Sequence, residues 1–366
     1  MTAVWGLVAG GGGGVAGDAQ IDFLGLYTKP PHADSVTGSD VRRFAAWDSA
    51  RAKLVYAGFK AVYGNGNQFA AGVTHEWDRT TQAWAQITAE PVPPGAPSIK
   101  QWFEHGLVYD PVRQKTYMFA GGYQTTGGSF IQLAGRPFEW NGAAWTDKNP
   151  AAPIPPNAST TFRAPVAIFD EVMQKSVVVG STTGGGTSET WLWDGTGWTY
   201  HSTAPNGPPT TFNSAHFAWD PDEQKGVFLS WVNVSGLWRV RTWIWTPNTG
   251  WSASYVADQF LNLTVNTASL AFDGCSMLMT GQDTPAVAFR IYKWNWSTLV
   301  WDVANTTVGS VLPDSNSNTY YMPHLSKALF WSLWEAPKQI PANNDTPGFY
   351  EIATCGPGGG PAWHLV

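Results

Sequence analysis

The sequence predicts an all-β chain folded as a β-propeller of six four-stranded blades, or seven if the N-terminal region forms an imperfect blade, with a Gly-rich N-terminal extension. Three observations predict it. A hydrophobic-aromatic-Asp step recurs at intervals of roughly 50–60 residues, the length of one blade. A Trp-rich hairpin follows each step, and the chain holds 22 tryptophans. Finally, no segment sustains the 3.6-residue apolar period that a helix needs.

The repeats can be taken in chain order. AAWD, LVYD, AIFD, FAWD and LAFD end at Asp48, Asp110, Asp170, Asp220 and Asp273. A short turn then leads into an apolar second strand: KLVYAG, KTYMFAGG, KSVVVG, KGVFLS and, in the fifth copy, SMLMTG. Third and fourth strands are read from HEWDRTTQAW, FEWNGAAW, TWLWDGTGW, TWIWTPNTGW and YKWNWSTLVW, whose final tryptophans are Trp84, Trp145, Trp198, Trp251 and Trp301. A degenerate sixth copy runs through TYYMPHLSKALFWSLW and ends in PAWHLV. The expected blades span 41–98, 99–160, 161–211, 212–260, 261–314 and 315–366. Proline-rich segments at 91–97, 150–156 and 205–209 follow three fourth strands, as expected of crossings that cannot extend a sheet.

An Asp found at one position of every blade serves every blade. Its expected role is to bond backbone N–H groups in the tight turn that follows. The repeated tryptophans are expected to pack blade against blade, because large flat side chains fill the space between facing sheets. Residues 1–40 form an arm: Gly10–Gly14 reads as a linker or as a segment held by an assembly contact, and IDFLGLYTKPP as a ring-closing fourth strand. PAWHLV competes for that closing role, since closure removes exposed edges.

These units resemble the kelch-type propeller repeat, above all its bacterial form, in which the first strand ends in Asp, a glycine pair closes the second, and a WDG turn joins the third to the fourth. Gly121–Gly122 and Trp193-Asp194-Gly195 carry the resemblance, which covers about residues 40–366. The first-strand Arg and His of the family are missing from most copies; His105 alone stands near the expected His. Kelch blades also build copper radical oxidases, which need two His, two Tyr and a Cys joined to one Tyr. Thr319–His324 offers two tyrosines and a His, and Cys275 or Cys355 a thiol, without the matching motif context.

Composition bounds the partners. Charged residues are 13% of the chain, about half the usual ~25%. The net charge is −6 and no Lys/Arg cluster exists, which argues against nucleic acid. No apolar run is long enough to span a membrane, and the N-terminus makes a poor secretory signal, so the expected setting is particle-associated or extracellular without a recognisable signal. The two cysteines, Cys275 and Cys355, read as free thiols. Asn157, Asn233, Asn262, Asn295 and Asn305 head N-x-S/T sequons, several of which chance supplies in so Ser/Thr-rich a chain.

No catalytic motif stands out. The seven histidines are scattered, no close pair suggests a metal, and no cofactor is implied. The aromatics outside the repeat register lie on the connectors between second and third strands: Tyr63, Phe69, Tyr123, Phe130, Trp238 and Trp334. Loops on a rigid scaffold are where binding concentrates. They make the expected binding set, for a protein neighbour in a larger assembly such as a virus particle, or for a surface glycan. The leading expectation is therefore a non-catalytic binding or scaffold propeller. The alternatives are a carbohydrate-active or copper-dependent enzyme on the same fold, and a soluble lectin-like module.

Overall fold

The computed structural model describes residues 20–23, 45–57, 74–78, 80–81, 83–87, 99–125, 129–148, 163–181, 188–203, 215–235, 237–261, 269–272, 276–282, 289–308, 317–322, 327–332, 349–352 and 362–365. In chain order, β1 (Gln20–Phe23) precedes β2 (Ala45–Asp48), β3 (Lys53–Tyr56), β4 (Thr74–Asp78) and β5 (Ala83–Ile87), which form the first four-stranded sheet. The second sheet is β6 (Ile99–Asp110), β7 (Lys115–Thr125), β8 (Phe130–Trp140) and β9 (Trp145–Asp147). The third is β10 (Arg163–Asp170), β11 (Lys175–Ser181), β12 (Ser188–Trp193) and β13 (Trp198–Thr203). The fourth is β14 (His216–Asp220), β15 (Lys225–Val234), β16 (Leu237–Thr246) and β17 (Gly250–Trp251), with β18 (Ala257–Gln259) as a further partner of β16. The fifth is β19 (Ser269–Phe272), β20 (Met277–Gln282), β21 (Phe289–Asn295) and β22 (Val300–Val308).

The chain is an all-β propeller, and each of these sheets is an antiparallel meander. The turn chemistry explains the meander. Asp110 Oδ1 accepts the amides of Val112 and Arg113 at 3.0 and 2.9 Å, and Asp170 Oδ1 those of Val172 and Met173 at 3.0 and 2.8 Å. Asp220 does the same for Asp222 and Glu223, at 3.1 Å each. The turns then reverse through a residue of positive φ: Ala52, Gln114, Gln174 and Gln224, at 52 to 55°. The repeated Asp is therefore a turn former, as expected. Asp273, Cys275 and Cys355 lie outside the described residues.

Second strands do not alternate inside and outside. Val177, Val178 and Val179 are all fully buried, because both faces of a blade pack against neighbours. The third-strand tryptophans Trp77, Trp140, Trp193 and Trp245 are among the largest fully buried side chains. They fill the seams between blades, as the repeated register predicts. First strands follow one another around the axis: β2 lies beside β6, β6 beside β10, β10 beside β14 and β14 beside β19.

The expected six or seven four-stranded blades are corrected. Five sheets reach four strands. The last repeat gives a three-stranded sheet among the described residues, β23 (Ser317–Met322), β24 (Lys327–Ser332) and β25 (Phe349–Ile352). The reason lies in the chain ends. The segments expected to compete for one closing position pair instead with each other: β1 and β26 (Ala362–Leu365) form a parallel two-stranded sheet, with Ile21 opposite Trp363.

Candidate functional site

Strand order places the last residues of each first strand at the axis. The residue before the repeated Asp is aromatic in five copies: Trp47, Tyr109, Phe169, Trp219 and Phe272. All five border one cavity of about 350 Å³, but Trp47, Phe169 and Phe272 are only 5, 7 and 1% exposed and pack into the blades, while Tyr109 and Trp219 are half-buried. The rest of the wall mixes small residues such as Ala45, Gly106 and Ala167 with the larger Ile168, Phe217 and Leu270.

Few polar groups reach the cavity, and those few are placed at its rim or wall. Glu171, the residue after Asp170, is the one carboxylate among the described lining residues. Partial desolvation raises its pKa although the residue as a whole is exposed; the Trp219 indole opposes the rise, and the charge of Asp170 adds to it. Trp219 Nε1 is buried without a hydrogen bond of good geometry, so it faces the carboxylate without firmly bonding it. Tyr109 is pushed up by burial and by the charge of Asp48, against bonds from Ser49 and Ala50; the Ala50 amide donates to its hydroxyl at 3.2 Å. The phenol therefore stays neutral, with the Asp48 carboxylate as acceptor for its O–H. Ser49 and His216 are the other polar residues of the described lining. Among the described residues, no group of three His, Cys, Asp or Glu could hold a metal ion.

The expected binding set falls elsewhere. Tyr63, Phe69 and Trp334 lie outside the described residues. Tyr123 and Phe130 belong to strands rather than to a loop: in the long β7–β8 hairpin, Tyr123 pairs with Ile131 and Phe130 with Gln124. Trp238 stands on a different blade, in β16 opposite Asn233, and is 41% exposed. By this register Tyr123 and Phe130 fall on opposite faces of the hairpin, and Trp238 belongs to another sheet, so the structure does not gather the three into one site. Sequence reasoning passed over the five cavity aromatics because an aromatic at every repeat reads as packing. The available signal was their position, one residue before the turn, on the strand that every propeller turns toward its axis.

No protein-family model and no curated protein matches this sequence. Among solved structures, it is similar to the NanB sialidase from Streptococcus pneumoniae, at 10% identity over 84% of this chain and 67% of that one, with a TM-score of 0.56. It is also similar to YjhT, at 11% identity over 91% and 95% with a TM-score of 0.53. A third is the PQQ-bound aldose sugar dehydrogenase from Streptomyces coelicolor, at 12% identity over 90% and 96% with a TM-score of 0.51. At such identities the likeness carries the propeller fold. The leading expectation of a non-catalytic scaffold is nonetheless corrected on this finding. The propellers that the chain resembles include enzymes of sugar chemistry, and the alternative reading is the one they favour. The physical reason is that scatter along the sequence does not bar a site. The axis brings residues from several blades to one cavity, and a motif search along the chain cannot detect that.

Proposed function

We propose that the chain is a carbohydrate-active enzyme that cleaves a glycosidic bond in the axial cavity, with Glu171 as the proton donor. One observation carries the reading: an axial cavity lined from five first strands holds a single carboxylate of raised pKa beside the half-buried rings of Tyr109 and Trp219. Aromatic faces suit the C–H face of a pyranose ring. Glu171 protonates the departing glycosidic oxygen, which leaves as an alcohol as the C1–O bond breaks; a water molecule then adds to the anomeric carbon and returns its proton to the Glu171 carboxylate, which restores the acid. Tyr109 Oη accepts a hydrogen bond from a substrate hydroxyl and holds the ring in place. The fold likeness to the sialidase and the sugar dehydrogenase supports the class by analogy alone.

The same reading takes the repeat as kelch-type and the three-stranded sheet as a sixth, incomplete blade. Its support is that β23 lies beside both β19 and β2, so that first strands surround the cavity on all sides, and that β26 runs close to β25.

Turnover of a panel of p-nitrophenyl glycosides tests the function. Glu171→Gln is expected to lower kcat by roughly 10²–10⁴-fold with KM little changed. Activity needs the protonated carboxyl, so it falls as pH rises through the raised pKa of Glu171. Gln removes that dependence from the residual rate. Full activity of the variant overturns the role of Glu171, and absence of turnover and binding across the panel overturns the enzyme.

A further inference from the structure

One residue beyond the five cavity aromatics, the repeated Asp residues form a second tier around the axis. Asp48, Asp110, Asp170 and Asp220 are 0 to 2% exposed. Each uses Oδ1 for its own turn, which leaves Oδ2 to be satisfied by a neighbour. The neighbours are not alike. In the first two blades the residue three positions on is an arginine, and it bonds the carboxylate directly: Arg51 Nε to Asp48 Oδ2 at 2.6 Å, and Arg113 Nη1 to Asp110 Oδ2 at 2.7 Å. In the third and fourth blades that position holds Met173 and Glu223. There Asp170 and Asp220 receive only neutral indole N–H groups, from Trp245 and Trp296, at 2.8 Å each.

The tier is consequently lopsided. On the side of the first two blades each Asp carries its own counter-charge. On the other side Asp170 and Asp220 have no Lys or Arg bonded to them among the described residues, although Lys225 lies 4.9 Å over the Trp296 ring, and Glu171, next to Asp170 in the chain, borders the cavity. Indole dipoles satisfy hydrogen bonds without cancelling a charge. The half of the cavity nearest the proposed proton donor therefore lies in a negative field, which a partly enclosed site does not screen as water would.

We infer that the cavity takes a sugar without an acidic group, a neutral hexopyranoside, and rejects sialic acids and uronic acids. The inference rests on the carbohydrate reading above and names the substrate class of that same site. A carboxylate on the substrate would meet Glu171 and, among the described lining residues, no Lys or Arg to receive it, where recognition of a sugar acid calls for a bidentate arginine. Arg51 and Arg113 are already engaged with the aspartates of their own turns.

The test measures binding of a neutral methyl hexopyranoside, a methyl glucuronide and a methyl sialoside by titration calorimetry on the full chain, at low and high salt. The neutral sugar is expected to bind at least about tenfold more tightly than either acid at low salt, with the gap closing as salt screens the field. Met173→Arg, which gives Asp170 the counter-charge that its two predecessors have, is expected to narrow the gap at low salt. Should that variant fail to fold, the salt series on the unaltered protein decides alone. An acid that binds as tightly as the neutral sugar overturns the inference and leaves the carbohydrate reading standing. A gap that salt does not change assigns the discrimination to shape and also overturns it. If no sugar binds, the carbohydrate reading falls and the inference falls with it.

Discussion

Two seams flank the third blade, and the same residue types fill both, yet they are held differently. Where the fourth blade meets the third, Trp245 Nε1 donates to Asp170 Oδ2 and Trp251 Nε1 to Thr190 Oγ1, each at 2.8 Å. Where the third meets the second, the corresponding Trp193 and Trp198 have buried indole nitrogens without an acceptor among the described residues. Two local changes account for the difference. Arg113 has taken the Oδ2 of Asp110 and also reaches the Gln174 carbonyl at 3.2 Å, and it fits there because Gly195, at φ 93°, has no Cβ to block its guanidinium. Pro137 stands three residues before Trp140, where Thr74, Thr190 and Thr242 stand three before Trp77, Trp193 and Trp245, so Trp198 finds no hydroxyl. One seam is tied by indole hydrogen bonds; the other is tied by an arginine at its edge and packed by rings, with Tyr117 against Trp193 at 6.0 Å and Phe119 against Trp198 at 5.3 Å.

The largest effect expected separates the two tryptophans at equal loss of volume. Trp245→Phe leaves the buried Asp170 Oδ2 without its donor, whereas Trp193→Phe breaks no hydrogen bond. Urea unfolding is expected to place Trp245→Phe about 1–3 kcal/mol below Trp193→Phe in stability. Equal losses in the two variants would mean that the indole bond contributes nothing and that packing alone holds both seams.

How far these features can be read from the sequence follows the same division. The turn-forming Asp, the Trp-rich hairpins and the propeller are legible because they repeat. One copy calibrates the next, as TWLWDGTGW does for FEWNGAAW. The arginine in DSAR and DPVR, against Met in DEVM and Glu in DPDE, is visible too, but its consequence is not, because the displaced indole belongs to the following blade. The chain ends were misread for a related reason. Both IDFLGLY and PAWHLV look like fourth strands, and nothing in either segment says that they pair with each other. The candidate site was hidden by its regularity. Trp47, Tyr109, Phe169, Trp219 and Phe272 look like five copies of one packing residue until the strands are placed around an axis. Glu171 is the informative exception, standing where the other copies have Ser49, Pro111, Pro221 and Gly274.

A smaller effect tests whether the arginine is what displaced the indole. Arg113→Met gives the second blade the turn of the third and leaves Asp110 Oδ2 open to Trp193 Nε1. If the indole turns to take it, Trp193→Phe becomes more costly in the Arg113→Met background than in the unaltered protein. The expected coupling is about 1 kcal/mol, read from a double-mutant cycle of unfolding free energies. Additive costs would show that the indole cannot reach the carboxylate even when the arginine is gone, and the difference between the seams would then lie in backbone geometry.

The smallest effect runs in the opposite direction, toward repair. Pro137→Thr supplies the hydroxyl that Thr74, Thr190 and Thr242 present to the following blade, and it should accept from Trp198 Nε1 as Thr190 accepts from Trp251. Pro137 pairs with Phe119 in the β7–β8 ladder, so threonine, a good strand former, fits the backbone there. Two terms oppose each other. Satisfying a buried indole contributes about 0.5–1.5 kcal/mol, while replacing proline frees the unfolded chain by about 0.4–1 kcal/mol. A net gain of a few tenths of a kcal/mol is therefore expected, and it should vanish when Trp198 is also changed to Phe. That dependence matters more than the size of the gain. A stabilisation that survives the loss of the indole would come from strand propensity, and the missing hydroxyl would then not be what sets this seam apart.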